Sequence, residues 1–244
     1  MILSGQTWLI TGGATGIGLA LARTACARGN TVVICGRRED ALDRARAELP
    51  SLVTRRCDVS NAKDRAELAA WVADSHPNLS VLVNNAGVQY RRDFRNVQAA
   101  EGLDDEIAIN FAAPIHLTIA LLPILRQQKD ARIVNVTSGL AFAPLAEFPV
   151  YCATKAAMHS LSLTLRRQLR TEPVRIVEMA PPLVDVWPEL SVERPRGVPM
   201  LTPDEFVAEA MIQLEMDRNE ILVGLSVETR KHGEALFESM NAWP

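Results

Sequence analysis

The sequence predicts an α/β fold, a three-layer αβα sandwich in which a seven-stranded parallel sheet lies between helices. Two observations support this prediction. Seven short, uniformly apolar strand candidates alternate with helix-like segments along the chain, and such strands are buried on both faces, as in parallel sheets covered by helices. In addition, a glycine-rich turn joins the first strand candidate to the first helix candidate, as it does in doubly wound sheets.

The first half of the chain supplies four of the strands. The run 31–35 is rich in β-branched residues, which favour strands, and it follows an Ala- and Leu-rich helical stretch that Gly29 ends. In this half the predicted strands are 7–10, 31–35, 51–56 and 80–84, and the predicted helices are 17–28, 38–48 and 61–76.

The second half supplies three more strands and a long helical region that crosses Pro114 and Pro123. A stretch rich in proline and charge, about 181–202, follows the sixth strand. It is either a surface loop or a substrate loop, because long loops after the ends of parallel strands often hold ligands. The predicted strands are 133–136, 175–179 and 220–223, and the predicted helices are 101–128, 149–171 and 203–217.

Composition narrows the class of protein. The chain has 244 residues, of which 48% are hydrophobic and 23% charged, and these proportions exclude a disordered chain. No linker-like stretch interrupts the pattern, so we expect one domain over 1–244. The net charge of −3 offers no electrostatic basis for binding nucleic acid or an anionic membrane.

The sequence also indicates where the protein is located and whether it binds a metal. We find no apolar run that approaches the roughly 18 residues of a membrane-spanning helix and no signal peptide, so we expect a cytoplasmic protein. The four cysteines lack C-x-x-C pairing and the four histidines lack metal-ligand spacing. Free buried thiols and no metal site are therefore expected.

The glycine-rich turn spans 11–18 and includes Thr15 and Ile17. Gly12 suits a tight turn off the strand, Gly16 lets the backbone approach a pyrophosphate, and Gly18 lets the helix pack close to the sheet. The anion would then face the free N–H groups at the start of the helix. Glycines in such turns also serve packing alone, but the strand–turn–helix context favours a dinucleotide site.

Arg37 and Arg38 indicate which dinucleotide is bound. A carboxylate commonly ends the second strand of an NAD site, where it accepts hydrogen bonds from the ribose 2′-hydroxyl. Gly36 occupies that position here and the two arginines follow it. Because a guanidinium pairs well with a 2′-phosphate, we expect NADP(H).

The catalytic signal is Tyr151 and Lys155, four residues apart and therefore on one face of a helix. A phenol has a pKa near 10, so a tyrosine that acts as acid or base near neutral pH needs positive charge close by. Ser138 follows the fifth strand, and Asn110 lies in the long helical region.

Together with the N-N-A-G at 84–87, these motifs resemble the short-chain dehydrogenase/reductase family in its compact form, across nearly the whole chain. The resemblance implies a Rossmann-type fold and an NADP(H)-dependent oxidoreductase that interconverts a ketone and a secondary alcohol. It gives Tyr151 the role of general acid and Ser138 that of holding the carbonyl oxygen. Lys155 would bind the nicotinamide ribose and lower the tyrosine pKa, and Asn110 would anchor a proton-relaying water.

The resemblance also implies cofactor contacts. Asp58 would bind the adenine amine with Val59 beside it. The cofactor-binding residues expected in all are Gly12, Thr15, Gly16, Ile17, Gly18, Arg37, Arg38, Asp58, Val59, Asn84, Ala86, Gly87, Tyr151, Lys155, Pro181 and Val184.

One stretch departs from the family pattern. Where the family usually has Pro-Gly and then a threonine, this chain has Pro181, Pro182 and, near the threonine position, Asp185. Val184 can still offer its N–H to the nicotinamide carboxamide, whereas the role of Asp185 is open. This segment resembles a bacterial subgroup named for a reductase encoded with the teichoic-acid D-alanylation genes.

The resemblance places a largely apolar set of side chains around the reacting carbon, with no cluster of Arg or Lys. We therefore expect a small apolar or aromatic ketone or its secondary alcohol as substrate. A homodimer or homotetramer is expected because apolar residues surround the 149–171 helix. The expected pocket residues are Gln89, Tyr90, Leu140, Ala141, Phe142, Pro144, Leu145, Phe148, Trp187 and Leu190.

Two alternatives remain from the sequence. A non-catalytic NADP(H) sensor could use the same scaffold, although the set formed by Ser138, Tyr151 and Lys155 argues against it. An epimerase or dehydratase with a retained cofactor is the other, but such relatives usually carry a larger C-terminal domain.

Overall fold

The computed structural model describes residues 4–186 and 200–242, and in them seven parallel strands form one sheet. Each strand is short, and most side chains of the central strands are buried. The strands are β1 (Thr7–Thr11), β2 (Thr31–Gly36), β3 (Val53–Arg56), β4 (Leu79–Asn84), β5 (Ala131–Val136), β6 (Val174–Ala180) and β7 (Glu220–Leu222). Their order is β3-β2-β1-β4-β5-β6-β7. The predicted fold class is confirmed.

Helices cover both faces of this sheet. One apolar layer joins the sheet to α1, α2 and α7, and the other joins it to α3, α5 and the end of α6. The α-helices in the described residues are α1 (Gly16–Ala27), α2 (Glu39–Glu48), α3 (Ala62–Ser75), α4 (Leu103–Ile107), α5 (Ala113–Leu125), α6 (Pro149–Gln168), α7 (Pro203–Glu215), α8 (Leu225–His232) and α9 (Phe237–Met240).

The long helical region predicted at 101–128 is divided in the structure. A π-helical turn, Ala108–Ala112, separates α4 from α5, and such turns are frequent at functional sites. Pro114 lies in the first turn of α5, where a missing N–H costs little. The two helices after β7, α8 and α9, were not predicted.

The segment Val97–Leu125 corrects one expectation from the sequence. It is long and apolar enough to cross a membrane by length and composition, so the expectation that no apolar run approaches that length is wrong. In the structure this segment contains the π-helical turn, and its side chains Leu117, Leu121 and Leu125 pack into the same apolar layer as α3.

The chain reverses its direction of winding between β1 and β4, which are neighbours in the sheet. Ligands of doubly wound sheets bind in the crevice outside the carboxyl ends of the strands at such a point. The Thr11 hydroxyl oxygen fixes this crevice, because it accepts hydrogen bonds from the backbone N–H groups of Asn85 and Ala86, both at 3.0 Å.

Candidate active site

A cavity of about 1060 Å³ follows the carboxyl ends of the strands. It is lined by the glycine-rich turn, by the residues after β2, β4 and β5, and by the start of α6. Of the predicted site residues, those in its wall are Gly12, Thr15, Gly16, Ile17, Arg37, Arg38, Val59, Ala86, Gly87, Ser138, Tyr151, Lys155, Pro181 and Val184. Residues far apart in sequence therefore share one cavity.

The glycine-rich turn has the backbone that a phosphate cradle requires. Gly12 and Gly16 have φ of +63° and +52°, a region that other residues rarely adopt. A Cβ on Gly18 would lie 2.3 Å from the Gly12 carbonyl oxygen, so this glycine serves close packing behind the cavity. Thr15 caps α1 without a side-chain hydrogen bond, and the first N–H groups of α1 can thus serve an anion.

At the end of β2, the cavity wall is formed by Gly36, Arg37 and Arg38. A Cβ on Gly36 would meet only the Leu42 side chain, at 3.9 Å, so this position has room for a larger side chain. Arg38 is the N-cap of α2, and Glu39 follows it in the first turn. Both arginines therefore precede the helix, and they are exposed at the cavity edge.

Ser138, Tyr151 and Lys155 converge at the opposite end of the cavity. The Ser138 hydroxyl accepts a hydrogen bond from the Leu140 N–H at 3.1 Å, which fixes the serine at the start of a 3₁₀ turn, Gly139–Ala141. Lys155 is buried, and its Nζ donates a 2.8 Å hydrogen bond to the Val136 carbonyl oxygen. The same Nζ lies 5.5 Å from the centre of the Tyr151 ring.

Burial dominates the electrostatics of this group. It raises the pKa of Tyr151 to about 12, although the hydrogen bond with Ser138 acts in the opposite direction. Burial also lowers the pKa of Lys155 to about 8. Burial is the largest effect on the pKa of the phenol, and the Lys155 Nζ donates to the Val136 carbonyl oxygen. The lowering of the tyrosine pKa by Lys155 stays a prediction.

Four predicted site residues lie outside the cavity wall: Gly18, Asp58, Asn84 and Asn110. Asn84 is buried in β4, where its amide donates to the Asn135 side chain at 2.9 Å. Asp58 accepts hydrogen bonds from the backbone and the hydroxyl of Ser60. Cofactor contacts by Asp58 and Asn84 therefore stay predictions, and each side chain already makes a local hydrogen bond.

Asn110 lies outside the cavity wall but contacts a residue of that wall, Val88. It lies in the π-helical turn, and its side chain pairs with both backbone polar groups of Val88, each at 2.8 Å. Its amide also donates to Thr154 at 3.2 Å. A Cβ on Gly87, next to Val88, would lie 3.6 Å from Lys155 Nζ. Asn110 thus holds the strand end that faces the lysine.

The predicted substrate pocket is partly reproduced. Gln89, Leu140, Leu145 and Phe148 line the cavity, whereas Tyr90, Ala141, Phe142 and Pro144 do not. The predicted pocket residues Trp187 and Leu190 lie outside the described residues, as does most of the predicted loop 181–202.

Several lining residues were missed. Asn85, whose amide donates to the Thr11 carbonyl at 2.9 Å, could have been found as the second asparagine of N-N-A-G. Arg91 and Glu147 form an ion pair of 2.9 Å in the cavity wall. Met240 and Asn241 also line it, and nothing in the local sequence indicated that the C-terminal segment would reach the cavity.

The segment with the two prolines forms one edge of the site. Its Pro181 carbonyl accepts a hydrogen bond from the Gly139 N–H at 2.9 Å, next to Ser138. Leu201 pairs with this segment through the Leu183 carbonyl and the Asp185 N–H. That pairing does not use the Val184 N–H, which the sequence analysis assigned to the cofactor.

Comparisons with known proteins agree with this geometry. The family described as short chain dehydrogenase matches residues 6–194. The uncharacterized oxidoreductase DltE of Bacillus subtilis is 46% identical over 99% of this chain and 98% of the relative. The NADP-dependent 3-hydroxy acid dehydrogenase YdfG of Salmonella typhi is 32% identical over 72% of this chain and 71% of its own length. A short-chain dehydrogenase from Sphingobium yanoikuyae, solved in complex with NADPH, superposes with a TM-score of 0.83 at 26% identity, covering 93% of this chain and 90% of the other.

Proposed function

The chain belongs to the short-chain dehydrogenase family and is an oxidoreductase, and we propose that it uses NADP(H) to reduce a ketone to a secondary alcohol and to catalyse the reverse reaction. One observation carries this proposal. Ser138, Tyr151 and Lys155 lie in the wall of the same cavity as the glycine-rich turn and the two arginines after β2. A dinucleotide along that wall would bring its reactive end to the tyrosine.

The residues present fit a dinucleotide phosphate. A Cβ on Gly12 would lie 2.9 Å from the Ala86 Cα, so only glycine keeps the cradle in this shape. The pyrophosphate would bind at the start of α1, and Arg37 would pair with the 2′-phosphate. The bound cofactor supplies the hydride that is added to the carbonyl carbon.

Tyr151 is the proposed proton donor. With a pKa of about 12, its phenol is protonated at neutral pH, as a general acid must be when a carbonyl oxygen gains negative charge. Ser138 donates a hydrogen bond to the same oxygen and holds it in front of the phenol. Oxidation of an alcohol needs the phenolate, so the reverse reaction should favour alkaline pH.

Lys155 and Asn110 support that proton transfer. Lys155 would bind the nicotinamide ribose through Nζ, and because its pKa is about 8 it carries its positive charge mainly below that pH. Both ends of the Asn110 amide are used by Val88. The water relay proposed for Asn110 would therefore rest on its main-chain carbonyl.

The proposed substrate is an apolar or aromatic ketone. The substrate end is lined by Leu140, Leu145, Phe148 and Met240, which offer an apolar surface. Arg91 could bind a carboxylate, and this favours a 3-hydroxy acid, the substrate class in the name of one relative, as second candidate. Glu147 already neutralises that guanidinium at 2.9 Å, so the uncharged substrate is preferred.

The test is a substrate screen with purified protein. Aromatic and aliphatic ketones, and 3-oxo acids with their methyl esters, are supplied with NADPH or NADH while cofactor oxidation is followed. We expect turnover of neutral ketones with NADPH, lost in Tyr151→Phe. If NADPH binds but no carbonyl compound is turned over, the chain is the cofactor sensor considered from the sequence.

A further inference from the structure

A buried polar network lies directly behind Ser138, and the proposed mechanism does not use it. Its centre is Glu178 of β6, whose side chain is 0% exposed. One carboxylate oxygen accepts a 2.8 Å hydrogen bond from the Thr137 hydroxyl. The other lies 2.8 Å from His159 Nδ1. A buried carboxylate is costly unless it is paired in this way.

His159 is the ring that pairs with Glu178, because the other charged groups near this carboxylate pair with each other. Glu220 of β7 is the register neighbour of Glu178, and Arg230 of α8 donates a 2.8 Å hydrogen bond to Glu220. The ligand atoms of His159, Glu178 and Glu220 lie within 4.8 Å of one another, a grouping that the sequence spacing did not predict. Because a protein donor holds each carboxylate, we interpret the group as a hydrogen-bonded network.

The network contacts both sides of the turn that carries Ser138. Thr137 immediately precedes the serine, and Phe142 follows the 3₁₀ turn. The Phe142 ring meets the His159 ring edge to face, with 4.9 Å between their centres. The Arg230 guanidinium lies 5.1 Å from the centre of the same phenylalanine ring.

His159 connects this turn to the helix that carries the tyrosine. Tyr151, Lys155 and His159 are spaced four residues apart along α6, so they lie on one face of it. The contact between His159 and Glu178 therefore joins α6 to β6, while the contact between Thr137 and Glu178 joins β5 to β6. Ser138 and Tyr151 are carried by the two elements that Glu178 links.

We propose that Glu178 and His159 are positioning residues that hold the Ser138 hydroxyl against the Tyr151 phenol. The Thr137 hydroxyl and His159 Nδ1 each pair with one oxygen of the buried carboxylate, so the loss of that carboxylate would leave both groups without this partner. Glu220 and Arg230 pair with each other and do not replace it.

The chain has only two tyrosines, Tyr90 and Tyr151, and this permits a test that does not depend on activity. In Tyr90→Phe protein labelled with tyrosine that carries ¹³C at the ring Cζ, a single resonance reports the phenol of Tyr151. Ser138→Ala gives the resonance position for a phenol that has lost the serine. The Tyr90→Phe change keeps an aromatic ring outside the cavity wall.

We expect Glu178→Ala to move the resonance most of the way to the Ser138→Ala position, and Glu178→Gln, which keeps an acceptor for Thr137, to move it less. His159→Leu, which cannot donate a hydrogen bond to Glu178, should also move the resonance, and His159→Gln, whose amide can donate, should move it less. His232→Leu is the control, since His232 pairs with Glu228 at 3.3 Å on the surface of α8.

Two results would overturn the proposal. One is a resonance in folded Glu178→Ala that coincides with that of the parent, and the other is a resonance in folded His159→Leu that coincides with that of the parent. The role in ketone reduction rests on the proposed function, and there kcat should fall about tenfold in Glu178→Ala while the Kd for NADPH is unchanged. A parent that turns over no ketone would remove the proposed function but would leave the resonance test intact.

Discussion

Replacing Gly36 with aspartate should reverse the cofactor preference from NADPH to NADH. The position tolerates the change, because a Cβ there would meet only the Leu42 side chain at 3.9 Å. The new carboxylate would stand at the end of β2, where it can accept hydrogen bonds from a ribose 2′-hydroxyl and repel a 2′-phosphate. Arg37, in the adjoining cavity wall, is the proposed partner of that phosphate in the parent.

The magnitude follows from the number and exposure of the contacts. A hydrogen bond to a charged group contributes about 1.5–3 kcal/mol, equivalent to roughly a 10- to 150-fold preference. Because Arg37 is exposed, solvent screening places it near the lower end of that range. We therefore expect kcat/KM with NADPH to fall about tenfold in Arg37→Ala, while kcat/KM with NADH changes little.

The assay measures kcat/KM for both cofactors in the parent, Arg37→Ala and Gly36→Asp. Arg44→Ala is the matched control, because Arg44 pairs with Asp40 on the exposed side of α2 and lies outside the cavity wall. The control removes the same charge and should leave the preference unchanged. A parent that prefers NADH, or an Arg37→Ala variant that loses both cofactors equally, would refute this position for the 2′-phosphate.

Four further predictions concern the catalytic groups, the substrate end and assembly. Tyr151→Phe should lower kcat by about 10²- to 10⁴-fold with an unchanged Kd for NADPH, and a variant that keeps most of its rate would contradict the role of general acid. Burial lowers the pKa of Lys155 to about 8, so above pH 8 the unfolded chain binds more protons than the native one. The free energy of unfolding should therefore rise with pH. Urea unfolding should show this rise between pH 8 and 10 in the parent and not in Lys155→Met. Glu147→Gln should raise kcat/KM for a 3-oxo acid relative to its methyl ester, because it frees Arg91 from a 2.9 Å ion pair. The control Glu172→Gln breaks the ion pair with Arg126 on the surface and should not change this ratio. Light scattering should return at least twice 26.8 kDa, and a monomer at micromolar concentration would exclude the proposed dimer or tetramer.

The fold was predictable because its signals are local. The β-branched run that became β2 and the glycines that bend the chain into α1 each act within a few residues. The division of the 101–128 region was not predicted, and Asn110 in its π-helical turn pairs with Val88, a contact that local sequence does not show. Nor were α8 and the short α9, since α8 has few apolar residues to mark a buried face.

The site was predicted where chemistry requires a particular residue at a particular spacing. Tyr151 and Lys155 follow from the helical repeat, and both line the cavity. The motif does not show which of two adjacent asparagines lines the cavity. Alternation along β4 buries Asn84 against Asn135, and Asn85, one residue further, reaches the cavity. The sequence pattern alone identified the end of β4 but not which of its side chains reaches the cavity.

The electrostatics of the site could not be obtained from spacing, because burial sets both pKa values in the catalytic pair. The sequence predicts a lysine that activates a tyrosine, yet in the folded chain desolvation moves the phenol to about 12 and the ammonium to about 8. Both changes favour the neutral forms of the two groups. Under the proposed function, reduction would start from the protonated phenol, because that form can donate a proton to the carbonyl oxygen. Alcohol oxidation would start from the phenolate, which positive charge beside the ring would favour.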